Sequence, residues 1–405
     1  MNKTLYTNIN LFDGNNDSIL FDSCLLVNND TGRIESVGKI TDKEHCTVVD
    51  LGNSYAIPGM IDAHTHTMLD PDENSLEMVS ETEVTLRSLI NLRRTLTAGV
   101  TTVRECGSAY NTDIKLSQIM QRKNIQNLPT IIPYGRPISM TGGHGDFGTS
   151  ENNLSYLTDS QDEMRKAVRT AFKHGAQGIK VMASGGVLSP NDDVNDTALS
   201  LDEIKVACQE AHNRGKKVAA HAQGNLAINN ALFAGVDSIE HGIFLDKAQA
   251  EFMVENNVYL VPTLNAVDSI LKYGANQLPK YMLEKTKKVQ DDFYKNMVMA
   301  YKTGVQFVVG TDAGTPFNHF GSGVWNELKL LTELGLSNSQ ALKCATQKAA
   351  RLLQIAGDYG TLEAGKYADF VVLSQNPLKD INALSDPQKQ VFKKGTAIKP
   401  SNMGV

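Results

Sequence analysis

"QDEMRKAVRTAFKHGAQGIKVMASGG", residues 161–186, holds one full unit of the pattern that decides the fold. Its first part reads as a helix that stops at Gly175, the usual C-terminal punctuation. "GIKVMASGG" then reads as a short, largely apolar strand. The same order recurs on both sides. Strand-like runs end in "AIPGMIDAHTH", "VTTVREC", "TIIPYG", "KKVAAHAQG", "VDSIEHG", "VYLVPTL" and "TGVQFVVGTDAG", separated by helical stretches. Several helices stop at glycine just before the next strand, at Gly99, Gly175, Gly215, Gly235 and Gly304. Strand–helix alternation repeated eight times predicts an α/β chain built on a (β/α)8 TIM barrel. The repetition is one of pattern, with no close sequence repeat.

The two chain ends break this rhythm. "KTLYTNINLF", "SILFDSCLLVNNDTGRIESVG" and "CTVVDLG" read as strands separated by turn residues, as do "ADFVVLSQNP" and "QVFKKGTAI" near the other end. The simplest topology brings both ends together as one small β domain, residues 1–56 plus 360–405, with the barrel inserted as residues 57–359.

Composition narrows the function. The chain has 405 residues, 41% hydrophobic and 21% charged, with a formal net charge of −6. That profile fits a globular protein and argues against a general nucleic-acid-binding role. Five scattered cysteines without CxxC spacing argue against a disulfide framework or a thiolate zinc knot. No apolar run is long enough to span a membrane, and the N-terminus lacks a secretory h-region, so a cytoplasmic location is expected, with a trimmed secreted form as the alternative.

In a barrel of this kind functional residues sit at the C-terminal ends of strands. "IDAHTHT", residues 61–67, ends the first strand with His64 and His66, whose side chains share one face. His221 ends the fifth strand, His241 the sixth and Asp312 the eighth. Imidazole and carboxylate are the usual ligands of zinc and similar ions. A lone histidine at a strand end is ordinarily a hydrogen-bonded packing residue; ligand types on four separate strand ends argue for a metal centre. Lys180, inside the apolar "GIKVMAS", reads in two ways. It snorkels to water or pairs with an acid, or burial near cations keeps it neutral. A neutral amine can capture carbon dioxide as a carbamate, an anionic ligand able to bridge two metals.

Together "PGMIDAHTHT", "TTVRECGS", "GGHGD", "GIKVMASGGVLSP", "HAQG", "IEHG" and "GTDAG" resemble the amidohydrolase superfamily, binuclear subtype, and most closely its prolidase-like or Xaa-Arg dipeptidase/carboxypeptidase branch. The resemblance covers essentially the whole chain. It implies a barrel joined to a β-sandwich made from both ends, and two divalent metal ions, with zinc the expected identity. His64, His66, Lys180 and Asp312 would hold the more buried ion. The carbamate of Lys180, with His221 and His241, would hold the second. "VREC" departs from the family, where Arg is more often followed by Asp, so Glu105 is given no role.

The reaction this implies is hydrolysis of a peptide-like C–N bond. Asp312 would act as general base and then general acid. His144, in a glycine-rich loop, would donate to the oxyanion or to a substrate carboxylate; the alternative for that loop is a plain tight turn. Arg136 could bind a carboxylate through two hydrogen bonds, or form a structural ion pair. Gln223 and Tyr259 are further lining candidates. The expected substrate is a dipeptide, short peptide or N-acyl amino acid with a C-terminal Arg or Lys, because Asp192, Asp193 and Asp196, with Asp70, Asp72 and Glu73, sit in loops on the catalytic face and could attract a cation. Solvated loop acids and Asx turns are the alternative. Competing functions are an Xaa-Pro or aliphatic dipeptidase, a cyclic amidase of the imidazolone type, against which Lys180 counts, and a non-catalytic assembly protein. A homo-oligomer is expected, with no nucleic-acid or membrane partner.

Overall fold

The computed structural model describes residues 2–40, 45–73, 79–148, 153–275 and 277–399. The last residues of the 360–405 segment therefore lie outside the described residues. Eight parallel strands form the barrel: Met60–Thr65, Val100–Glu105, Thr130–Pro133, Gly178–Met182, Lys217–Ala222, Ser238–His241, Tyr259–Val261 and Gln306–Phe307. Four of the eight are buried along their whole length and the others at all but their first residue, which is why they read as near-continuous apolar runs rather than alternating ones.

Two seams close the ring. Between the third and fourth strands, the Gln177 N–H donates to the Pro133 carbonyl at 2.7 Å. Between the eighth and first, Ala63 N donates to Val309 O at 2.9 Å, Asp312 N to His64 O at 2.8 Å and His66 N to Ala313 O at 3.0 Å. Gly310 permits this second seam. A Cβ there would lie 2.4 Å from Val261 Cγ1 and 2.7 Å from His64 Cβ, so any side chain would push the strands apart.

The helices between strands are stopped as the sequence suggests. Gln161–His174 starts at Ser160, whose hydroxyl accepts from Glu163 N, and ends on Gly175 at φ 110°. Met164, Val168 and Ala171 form its buried face and pack on the barrel core. Leu201–His212 opens with a reciprocal Ser200–Glu203 capping box. No helix among the described residues is long and apolar enough to cross a membrane.

The two chain ends meet in a seven-stranded sheet, in the order Thr396–Ala397, Gln390–Lys393, Phe370–Leu373, Thr47–Pro58, Lys3–Leu11, Leu20–Asn28, Arg33–Gly38. Phe370–Leu373 runs antiparallel to Tyr55–Pro58. The sheet curls over its own core: Tyr6 meets both Phe370 and Phe392 edge-on at 5.3 Å, and its hydroxyl donates to Gly395 O at 2.8 Å. The sandwich-like unit is thus one hydrogen-bonded sheet folded on itself, with an apolar core of Ile9, Leu25, Val27, Phe370 and Phe392 distinct from the barrel's.

Candidate active site

The strand ends bring His64, His66, Lys180, His221, His241 and Asp312 to one point on the barrel axis. All six line a single cleft. His241 and Asp312 hold left-handed backbone, with φ of 70° and 59°. Non-glycine residues adopt that conformation rarely, and such strain concentrates at functional sites.

Each histidine has one ring nitrogen engaged by the protein and the other turned to its neighbours. His64 Nδ1 lies 2.7 Å from Glu240 Oε2, His66 Nδ1 3.1 Å from Gly107 O, His241 Nδ1 2.7 Å from Thr263 Oγ1 and His221 Nε2 3.0 Å from Gly185 O. This leaves Nε2 of His64, His66 and His241, and Nδ1 of His221, for the cluster. The ring centroids stand close: His64 to His66 at 5.3 Å, His64 to His241 at 5.1 Å and His221 to His241 at 4.7 Å. Burial is the main force holding His64, His221 and His241 well below the usual imidazole pKa. They are neutral at physiological pH, the form that ligates metal.

Asp312 Oδ1 lies 3.2 Å from His66 Nε2 and 3.6 Å from His64 Nε2. These three side chains satisfy the spacing of a cation site. Lys180 Nζ lies 3.3 Å from His64 Nε2 and is almost fully buried. Burial lowers its pKa, because an ammonium loses its hydration there. The donor set therefore fits divalent cations: neutral imidazoles, a carboxylate, and an amine that burial disfavours as a cation. A second group, His64, Cys106 and Glu240, has similar spacing. It is already occupied by positive charge, since Arg104 Nη2 donates to Glu240 Oε2 at 2.7 Å.

The cleft encloses about 690 Å³ including its open mouth, and its wall is largely apolar, with Met68, Leu69, Phe147, Leu154, Met182 and Leu188. His144 lines it too. Its ring stacks on His221 at 4.5 Å and its Nδ1 faces Asp192 Oδ2 at 3.2 Å. Gly186 makes room for it, since a Cβ there would sit 2.5 Å from His144 Cε1. Gln223 lines the cleft as well.

Other expected residues fall elsewhere. Arg136 turns away from the cleft: its guanidinium donates to the carbonyls of Leu154 and Ser155 and lies over Tyr156. Tyr259 is the first residue of its strand, which puts it at the opposite end of the barrel, beside Ile61 and Ala349. The loop acids are already paired. Asp192 accepts from Gly186 N and meets Lys285, and Asp193 accepts from Asn195 N and faces Lys288. Asp196 accepts from Asp193 N, Asp70 from Asp72 N, Asp72 meets His319, and Glu73 meets Arg87. None of them lines the cleft. Glu105 is buried and accepts from Thr65 Oγ1 and Thr67 N, bracing the turn that carries His64 and His66.

Sequence reasoning missed what lies beneath the site. Glu240, two residues after Ser238 on the sixth strand, points into the barrel and joins His64 to Arg104, whose Nε also donates to Ala63 O. Asp62 accepts from His64 N, Thr311 N and Thr311 Oγ1, stitching the first strand to the eighth. The available signal was charged residues at positions of otherwise apolar barrel strands.

Comparison with known proteins agrees with this geometry. The sequence profile of the Amidohydrolase family matches residues 55–398. The ochratoxinase of Aspergillus niger is 31% identical over 299 residues; the match covers 68% of this chain and 61% of that enzyme's length. A Xaa-Pro dipeptidase crystallised with methionine in its active site superposes with a TM-score of 0.89 at 29% identity, covering 98% of this chain and 99% of that one. A prolidase complexed with N-methylphosphonate-L-proline gives 0.89 at 31% identity, again covering 98% and 99%.

Proposed function

The chain belongs to the amidohydrolase family, and from that premise we propose that it is a two-metal amide hydrolase acting on dipeptides or N-acyl amino acids with apolar groups beside the scissile bond. One observation carries the reading: four histidines with their outer nitrogens tied down turn their free nitrogens, with Asp312 and Lys180, toward the floor of an apolar cleft.

In this reading His64, His66 and Asp312 would hold one divalent ion and His221 and His241 another, with Lys180, as its carbamate, supplying a further anionic ligand; zinc would suit the imidazole-rich donors. Bound ions of this kind lower the pKa of water to near neutral and polarise a carbonyl. Asp312 takes the proton of the attacking water and returns it to the leaving nitrogen as the C–N bond breaks. One water is consumed, and the products are a carboxylate and an amine. His144, its Nδ1 engaged by Asp192, has Nε2 left to donate to the developing oxyanion or to a substrate carboxylate. The apolar wall keeps bulk water away from these charges, which strengthens each interaction.

Preference for a C-terminal Arg or Lys has little local support: of the six acids that would attract a cation, four are engaged by Lys285, Lys288, His319 and Arg87, and none lines the cleft. The wall favours Ala-Leu or Ala-Phe over Ala-Arg or Ala-Lys. The test is metal content together with kcat/KM across those four dipeptides and their N-acyl analogues. Two ions per chain and faster cleavage of the apolar substrates are expected. No bound metal, or a clear preference for Ala-Arg and Ala-Lys, overturns the proposal.

A further inference from the structure

A second lobe opens from the side of the cleft, next to His241 and Asp312. It encloses about 370 Å³ including its mouth, and Ile243, Ala266, Val267, Ile270 and Phe293 form its walls. Ala266, Val267 and Ile270 lie at i, i+1 and i+4 of the helix Leu264–Tyr273, so they present one face. Phe293 comes from the neighbouring helix Lys280–Thr303. The lobe shares His241, Asp312, Gln223, Thr315, Val187 and Leu188 with the main cleft. It encloses about half the space of the main cleft, which suits it to one side chain rather than a whole molecule.

Gln223 stands at the junction of the two lobes, 5% exposed, and its Oε1 has no hydrogen-bond partner among the described residues. A buried carbonyl oxygen left without a donor is costly, and such groups are rare unless something supplies the donor. Apolar walls and one unmet acceptor define the complementary ligand: an apolar side chain attached close to an N–H.

We propose that this side lobe is a specificity pocket for a leucine- or phenylalanine-sized side chain on one side of the scissile amide, and that Gln223 Oε1 accepts the substrate's amide N–H. The proposal rests on the amide-hydrolase reading above. Because both lobes meet at Asp312, a group in the side lobe is attached within a few bonds of the reacting carbon. The substrate is then bulky on both sides: the main cleft takes one group and the side lobe the other.

The experiment uses the metal-loaded full chain and four N-acyl amino acids, combining acetyl or phenylacetyl with glycine or phenylalanine. Wild type should cleave the doubly bulky substrate best, by about tenfold or more over either singly bulky one, the scale that a filled apolar pocket provides. Ala266→Phe should abolish the preference for bulk on one side only. Ile270→Ala should shift that same side toward larger groups. Unchanged metal content and thermal midpoint identify folded variants, and either variant alone suffices. Preferences unmoved on both sides, or moved equally on both, overturn the lobe. Gln223→Leu should lose about tenfold on an amide and nothing on the matching ester, which lacks the N–H; equal loss on both overturns the role of Gln223. If wild type with its metal bound cleaves no amide, the parent reading fails. Amide cleavage without these shifts sinks the lobe alone.

Discussion

His64 Nδ1 and Glu240 Oε2 stand 2.7 Å apart in the barrel interior, both almost wholly shielded from water. The carboxylate fixes the ring's tautomer and so delivers Nε2 to the cluster. Arg104, itself buried, holds the carboxylate's charge. Glu240→Gln should lower metal affinity by about 10–100-fold, the scale of losses when such supporting partners are changed. It should also destabilise the fold by about 3–5 kcal/mol, because Arg104 loses its buried partner. Chelator competition and thermal unfolding measure the two effects separately. Metal affinity equal to wild type would remove Glu240 from this role.

Lys180→Ala takes away the proposed anionic ligand. The variant should keep at most one ion and lose most of its activity. Elemental analysis of the purified protein checks the stoichiometry. Two retained ions with full activity would rule out the carbamate.

Asp312→Asn keeps an oxygen near His66 but removes the carboxylate proposed as the base. Most of the metal should stay, while kcat falls by about 10²–10⁴-fold, the usual contribution of a positioned proton-transfer group. A near wild-type kcat would assign the proton transfer elsewhere.

Stability should fall as the pH rises from about 6.5 to about 8, above the range in which the depressed His64, His221 and His241 act with the opposite sign. Burial pushes the Glu327 carboxyl up to about 8 from an ordinary value of 4.5, against the opposing N–H groups of Asn265 and Leu264. Between those values the folded chain keeps a proton that the unfolded chain has released, so rising pH favours unfolding. Below 4.5 and above 8 this group adds no slope. Asp62, raised to about 7, and Glu105, raised to about 8, act with the same sign. Glu327→Gln should flatten the decline of melting temperature across the window without abolishing it. An unchanged slope would contradict the assignment.

The barrel and the cluster at its strand ends were legible because each strand carries its own boundary signals, and a strand's last residue faces the same end of the barrel in every unit. Local signals fail where a side chain's direction is set by a turn in the backbone or by a distant partner. Arg136 comes right after Gly135, whose φ of 72° turns the chain, and its guanidinium ends on the carbonyls of Leu154 and Ser155. The loop acids looked available because their partners come from distant segments: Lys285 and Lys288 lie on a helix more than ninety residues beyond Asp192. The Arg104–Glu240 pair joins strands 136 residues apart. No spacing rule reaches that far. The same holds for Phe293, an ordinary apolar helix residue in the sequence that becomes the wall of a pocket only once the helices pack.

The seam between the first and eighth strands also bears on how the molecule comes into being. His64 and Asp312 are joined there by a backbone hydrogen bond, yet nearly the whole barrel separates them along the chain. Closing so long a loop is slow in folding terms. The cluster forms only when that seam closes, and a chain with an open ring lacks it. An ion captured at that point binds only the closed form and stabilises it by mass action. Acquisition of the cofactor would then report completion of the barrel, and its withdrawal would loosen first the seam that Gly310 keeps tight.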